Sequence, residues 1–423
     1  MRAAFYECDI TPPLGGFLWG HYSRVFATDV QDRLYAKAVV VENEGTVSAI
    51  VCVDSCALPP QMHDAVTKRV TEYTGIPAEN VCLTSNHTHW GAPICDGMDT
   101  GCLADASYQD VCFRLTADAV ILAYMRLKDV KATYGTSVLE GVSFNRDYVM
   151  EDGIAITFGK SPLSVDHMLA GIDPTVSVMT FYHEDHPVGA VVNFALHQCC
   201  CGNISAYTGD FSSILSKELK KKYGNDFVSL FVLGCCGDIN HVNDDRVTKA
   251  TLDTYREIGR ALAEKTEEAM AIAKPVGEGV RVVKEKLSVE TRQAEKEATR
   301  QEVERLASMG SMMRLRNLVH YQATNTDTCK ELWVQAMKVG NVCVYALPGE
   351  VFVNHGLRLK KESPYENCFV IENCNSYCGY IPTEEAFGES CDLYETSLCH
   401  HSCLVPEAGD RLVDRALDLA RKL

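Results

Sequence analysis

The chain has 423 residues, 46% of them hydrophobic and 23% charged, which is the balance of a globular protein and long enough for one large α/β domain. Its formal net charge of -17 repels phosphate backbones and anionic membrane surfaces and so argues against a nucleic-acid partner. No apolar run approaches the ~20 residues of a spanning helix, which argues against membrane insertion.

Strand-like and helix-like segments alternate along the chain. Leu34 to Val41 and Val47 to Val53 are β-branched runs split by Glu42-Asn43-Glu44-Gly45, a hairpin signature. Gln61 to Thr74 has helical spacing of Met62, Val66 and Val70 and stops before Gly75-Ile76-Pro77. Val81 to Leu83 reads as a strand and Tyr108 to Arg126 as a helix. Val176 to Tyr182 and Val188 to Phe194 flank His183-Glu184-Asp185-His186-Pro187 as a second hairpin. Phe211 to Tyr223 is a helix with a basic end, and Phe227 to Leu233 is a strand entering Gly234-Cys235-Cys236-Gly237-Asp238. Lys249 to Lys274 and Glu295 to Leu318 read as long helical segments, and Leu332 to Leu347 as two strands around Gly340. With no internal repeat, low-complexity tract or linker, residues 1–423 read as a single domain, an α/β body of mixed β-sheets with flanking helices.

Polar groups stand just past several of these strands. His87 and His89 lie in Ser85-Asn86-His87-Thr88-His89-Trp90-Gly91-Ala92-Pro93, after Val81-Cys82-Leu83. In an extended run, residues two apart point the same way, and neutral imidazole is the commonest side-chain metal ligand. A short His-x-His also occurs in polar loops whose imidazoles bond to backbone. His197 follows Val191 to Leu196, Asp238 and Asn240 follow Phe231-Val232-Leu233, and Glu350 follows Val342 to Gly349. Glu350 alone could cap a helix running to Lys361. One pattern at four strand ends favours a single site, because α/β proteins place ligands where strands open into loops.

Twenty cysteines fall in apolar runs (Cys52, Cys82, Cys343) and clusters (Cys199-Cys200-Cys201, Cys235-Cys236) rather than in a disulfide framework. Cys-x3-Cys occurs at Cys52/Cys56, Cys374/Cys378 and Cys399/Cys403, but the Cys-x2-Cys spacing of structural zinc sites is absent. Met1 to Asp9 has no apolar core of signal-peptide length, so the thiols read as reduced and the protein as cytoplasmic.

These motifs, taken in order, carry a resemblance to the catalytic domain of the neutral, non-lysosomal ceramidases, zinc amidases that cleave the N-acyl bond of ceramide. It runs nearly end to end, from Asp9-Ile10-Thr11-Pro12 with Trp19-Gly20 to Tyr394-Glu395. Asn86-His87-Thr88-His89 resembles the family's Thr/Ser-His-Thr-His-Ser-Gly-Pro loop, in which the first His binds zinc and the second helps hold substrate. Asn193-Phe194-Ala195-Leu196-His197 is similar to the second zinc-histidine segment, Thr208-Gly209-Asp210 to a Ser-Gly-Asp, and Pro348-Gly349-Glu350 to a Pro-Gly-Glu whose Glu is a ligand. Tyr377-x-x-Tyr380-Ile381-Pro382-Thr383-Glu384-Glu385 resembles a motif whose second Tyr is the last ligand, Asn145-Arg146 an Asn-Arg lining the active site, and Tyr394 the second active-site Tyr.

The resemblance implies a zinc ion held by His87, His197, Glu350 and Tyr380. A tyrosine ligand is unusual, because its reference pKa of about 10 requires the metal to draw off the proton. An open zinc position would hold water at a pKa near ~7, whose hydroxide attacks an amide carbonyl. His89, Arg146 and Tyr394 would orient the carbonyl or stabilise the oxyanion, and Asp238 would orient a ligand histidine from behind. Two departures stand out. A serine once proposed as nucleophile is Asn240 here, in Gly237-Asp238-Ile239-Asn240-His241, and the chain ends soon after Tyr394, without the family's C-terminal β-sandwich. Trp90 and the Cys-rich loops replace smaller family residues and suggest a reshaped pocket. The expectation is a cytoplasmic zinc amidase acting on a small N-acyl substrate. A zinc hydrolase for an ester or other bond, and a non-catalytic ligand-binding homologue, remain as alternatives.

Overall fold

The computed structural model describes residues 1–21, 23–97, 101–158, 163–243 and 250–423. Three sheets dominate, each an antiparallel meander with one parallel edge strand. The first runs Val81–Ser85, Thr46–Val53, Tyr35–Asn43, Arg2–Asp9 and Lys128–Asp129, with only the Val81–Ser85/Thr46–Val53 pair parallel. The second runs Val228–Leu233, His186–Phe194, Thr175–His183, Lys131–Val138 and Lys274–Pro275, again with the first pair parallel. The third runs Val280–Glu290, Cys329–Val339, Val342–Ala346 and Asn367–Ile371, with the last pair parallel. This is the α/β body of mixed sheets with flanking helices that the alternating pattern predicts.

Parallel neighbours require a crossover. The helices Met62–Thr74, Asp210–Tyr223 and Val353–Glu362 each lie in the chain between the two members of one parallel pair. Both strands of such a unit finish at the same sheet edge, so their polar followers gather there. His87 follows the second strand of the first unit, His197 the first strand of the second, and Glu350 the first strand of the third.

Inner faces of the sheets share one core cluster, with Phe5, Val39 and Ile50 from the first, Met179, Phe181 and Val191 from the second, and Met337, Val344 and Phe369 from the third. Phe5 meets Phe181 edge-on, with ring centroids 5.4 Å apart. The helices Ala106–Tyr124, Leu252–Ala271 and Ala408–Ala420 cover outer faces of the first, second and third sheets. A smaller sheet of Val165–Met168, Asp147–Met150, Ala155–Thr157 and Cys391–Asp392 brings Arg146 and Tyr394 to the same end of the sheet, just outside its strands. No helix among the described residues is long and apolar enough to cross a membrane.

Two predicted elements differ in the structure. The single helical segment Glu295 to Leu318 is two helices, Lys296–Ser308 and Met312–Thr324. Gly310 takes a left-handed φ of 68° between them, and the Gly310 and Ser311 N–H groups fold back onto the Ala307 and Leu306 carbonyls, a Schellman stop that periodicity does not reveal. The segment predicted from Lys249 forms the helix Leu252–Ala271, capped by Thr251; Lys249 itself lies outside the described residues.

Candidate active site

His87, His197 and Glu350 converge. One ligand atom from each lies within 4.8 Å of the others, and all three side chains are buried. His87 Nδ1 lies 2.6 Å from the Cys56 carbonyl and His197 Nδ1 3.3 Å from the Cys236 carbonyl. A carbonyl only accepts, so each Nδ1 carries the hydrogen and each neutral Nε2 a bare lone pair. Those two Nε2 atoms face each other at 2.9 Å. Glu350 Oε2 is buried without a hydrogen bond, 3.3 Å from His87 Nε2 and 3.8 Å from His197 Nε2. Lone pairs and a carboxylate oxygen pressed together repel unless a cation lies among them, so this donor set fits a metal ion of the kind that accepts nitrogen and oxygen ligands. Burial works against ionisation of Glu350, while the Tyr377 hydrogen bond and the Arg146 charge favour it.

Glu350 and Val351 form a two-residue parallel ladder with Tyr380 and Ile381, in which Glu350 lies opposite Tyr380. That register brings Tyr380 to the same edge. Tyr377, not singled out in the sequence, donates its hydroxyl hydrogen to Glu350 Oε1 at 2.6 Å. Gly237 allows the close packing here, because a Cβ on it would stand 2.6 Å from the Glu350 carbonyl oxygen.

The His-x-His stretch is not an extended run. The strand ends at Ser85, and His87 takes a left-handed φ of 63°, an uncommon conformation for a residue with a side chain. A local turn, rather than strand alternation, thus brings the His87 and His89 rings to 5.3 Å. Neighbours hold the turn: Asn86 Nδ2 donates to Asp54 Oδ1 at 2.7 Å, and Gln198 Nε2 donates to the Asn86 carbonyl at 2.7 Å. The His89 N–H donates to the Gln198 carbonyl, tying the loops of His87 and His197 together. Burial pushes the His89 pKa well below the usual histidine value, so its imidazole is neutral.

A cleft of about 750 Å³ opens over this group. His87, His89, His197, Glu350, Tyr380, Arg146 and Tyr394 all line it, with Asn240, Cys56, His21 and His401. Arg146 is buried; its Nε donates to Glu395 Oε1 at 2.6 Å, its Nη2 donates to the Gly237 carbonyl at 2.7 Å, and its guanidinium carbon lies 5.5 Å from the Tyr380 ring centroid. The Tyr394 hydroxyl lies 2.9 Å from His401 Nε2, and the Tyr394 and Tyr380 ring centroids are 5.7 Å apart.

Asp238 stands apart from its expected place. It does not line the cleft, and its carboxylate accepts Asn145 Nδ2 and the Val353 N–H, both at 2.8 Å. It therefore serves the start of the helix Val353–Glu362, and the backbone carbonyls of Cys56 and Cys236 orient the histidines instead. The capping alternative for Glu350 falls with this contact, since Asp238 meets that helix end. Cys235 and Cys236 do not line the cleft either; burial, then Glu372, drives both thiol pKa values well up. Glu372 is a residue that no sequence motif marks. It is fully buried, and its Oε2 accepts the Cys236 and Val351 N–H groups at 3.1 and 2.7 Å, joining the loop after Val228–Leu233, whose Cys236 carbonyl meets His197, to the strand of Glu350.

No protein-family model matches the chain, and no curated protein does. Among solved structures it is similar to the neutral ceramidase of Pseudomonas aeruginosa, with a TM-score of 0.74 and 18% identity over 99% of this chain and 74% of that one. A ceramidase structure complexed with C2 gives a TM-score of 0.71 and 19% identity over the same shares. Over nearly its whole length, this chain has a ceramidase catalytic-domain-like fold.

Proposed function

We propose that the chain is a zinc-dependent hydrolase that cleaves the amide bond of a small N-acyl substrate. The observation that carries this reading is the convergence of His87 Nε2, His197 Nε2 and the unbonded Glu350 Oε2 at the floor of the cleft. These three, with Tyr380 opposite Glu350, would hold the metal. Zinc in such a set supplies an acidified water, of pKa about 7, as nucleophile at neutral pH. The rest falls to the chain's own side chains. His89, neutral and lining the cleft, donates to the substrate carbonyl oxygen. Tyr394 donates to the same oxygen as charge develops there, and its bond to His401 fixes the hydroxyl. Arg146, locked by Glu395, keeps a fixed positive charge beside them. Asp238 supports the loop that carries Arg146, whose N–H donates to the Asp238 carbonyl at 2.8 Å. Reduced thiols and a cytoplasmic setting belong to the same proposal.

The test is metal analysis of the purified chain, followed by a panel of N-acyl amides before and after chelation. The expected result is stoichiometric zinc, with cleavage lost on chelation and restored by added zinc. Absence of bound metal, or cleavage indifferent to chelation, would overturn the proposal.

A further inference from the structure

Behind the arginine of the cleft, two buried acids meet one hydroxyl. Asp147 opens the strand Asp147–Met150, and the antiparallel register with Ala155–Thr157 sets it opposite Thr157. Residues paired across two strands project to one face. Thr157 Oγ1 accordingly stands 2.9 Å from Asp147 Oδ1, and it stands 2.7 Å from Glu395 Oε2. It also accepts the Tyr394 N–H at 2.9 Å. Both acids are fully buried. A hydroxyl carries one hydrogen, which serves only one of the two carboxyls. Arg146 Nε donates to Glu395 Oε1 at 2.6 Å, so the negative charge belongs on Glu395 and the Thr157 hydrogen points there. The contact with Asp147 is then oxygen against oxygen, and it is a hydrogen bond only if Asp147 supplies the hydrogen.

The surroundings agree. Asp147 Oδ2 is buried without a hydrogen bond, which is costly for a carboxylate oxygen and far less so for the carbonyl of a neutral acid. Three buried carboxyls, Asp147, Glu395 and Asp238, stand near the one Arg146 guanidinium. Burial, then Glu395 and Asp238, drives the Asp147 pKa well up against the pull of Arg146 and Thr157. We propose that Asp147 is a positioning residue that carries a proton at neutral pH: it donates to Thr157, Thr157 donates to Glu395, and Glu395 is left as the whole counter-charge of Arg146. Because the same hydroxyl holds the Tyr394 N–H, this one proton orders both residues that the proposed reaction sets on this wall. The assignment deepens the amide-hydrolase reading and rests on it only where turnover is measured.

Difference infrared spectroscopy of the purified chain at neutral pH tests this without turnover. The wild type should show the carbonyl stretch of a protonated carboxylic acid that Asp147→Asn removes. That stretch should also move when the chain is made with heavy carbon in its aspartate side-chain carboxyls. No acid band lost in Asp147→Asn, or a lost band that ignores the aspartate label, would put the proton elsewhere and overturn the proposal. Cleavage of an N-acyl amide gives the second readout. Asp147→Leu has no hydrogen to give and should lower kcat roughly 10-fold or more, as Arg146 and Tyr394 shift from their places. Asp147→Asn, whose amide N–H donates to Thr157, should recover most of that loss. Wild-type kcat in Asp147→Leu, or no recovery in Asp147→Asn, would also overturn it; should the leucine variant not fold, the infrared spectra decide. Because the spectra need no cleavage, this proposal and the assigned reaction fail separately.

Discussion

Arg146 Nε donates to Glu395 Oε1 across 2.6 Å, with Glu395 fully buried. Thr157 Oγ1 donates to the other carboxylate oxygen at 2.7 Å and accepts the Tyr394 N–H at 2.9 Å, so one acid steadies both the arginine and the backbone of the tyrosine on this wall of the cleft. Removing one member of a buried pair strands the other charge, at a cost of about 3–5 kcal/mol. Arg146→Ala should therefore lower unfolding free energy by about that amount in a urea titration. A loss below about 1 kcal/mol, the range of an exposed pair, would contradict the buried geometry.

Metal content should follow the converging donors. His87→Ala, His197→Ala and Glu350→Ala should each lose the single zinc ion proposed for the wild-type chain, as measured by elemental analysis. Stoichiometric zinc in the His197→Ala protein would refute the ligand set.

Asp238 gives the contrasting case. Its carboxylate accepts the Val353 N–H and Asn145 Nδ2, so Asp238→Ala strands two buried donors, each costing about 1–3 kcal/mol. The variant should be destabilised by that order in urea yet keep its zinc. Loss of metal from a chain that remains folded would instead favour a direct hold on a ligand histidine.

In the reaction itself, His89→Ala or Tyr394→Phe should lower kcat by about 10²–10³, as for lost oxyanion donors. Alanine at both Cys235 and Cys236 should leave most activity, since neither residue lines the cleft. An acyl adduct trapped on either cysteine and seen by mass spectrometry would show a covalent mechanism and refute direct hydrolysis.

Lys284 makes stability depend on pH. Its Nζ meets His63 Nε2 at 2.7 Å and the Val81 carbonyl and Asn375 Oδ1 at 3.1 Å, and burial lowers its pKa from 10.5 to about 8. Between those values the unfolded chain binds the proton and the folded chain does not, so this group's contribution to stability rises with pH across that window. At 1.36 kcal/mol per unit the full gain is of order 3 kcal/mol. The stability difference between wild type and Lys284→Met, measured in urea from pH 7.5 to 10.5, should move in favour of the wild type by about that amount. A flat difference would refute it.

Much of this protein is set by short-range pattern. Alternating β-branched runs specify the hairpins Tyr35–Asn43/Thr46–Val53 and Thr175–His183/His186–Phe194, and polar residues after apolar strands mark His87, His197 and Glu350, because strand period and strand end are local properties of a chain. The motif order carries the likeness to ceramidases for the same reason. What only the tertiary structure decided lies in pairings between distant segments. Glu372 clamps Cys236 and Val351, Glu395 holds Arg146, Tyr377 holds Glu350, and Asp238 meets Val353 rather than a histidine. Nothing in local spacing announces these contacts, because a buried polar group takes whichever partner the packing of sheets brings within about 3 Å. The left-handed turn at His87 belongs with them: an imidazole is held at φ 63° only because Asp54, Asn86 and Gln198, from three separate strand ends, surround it.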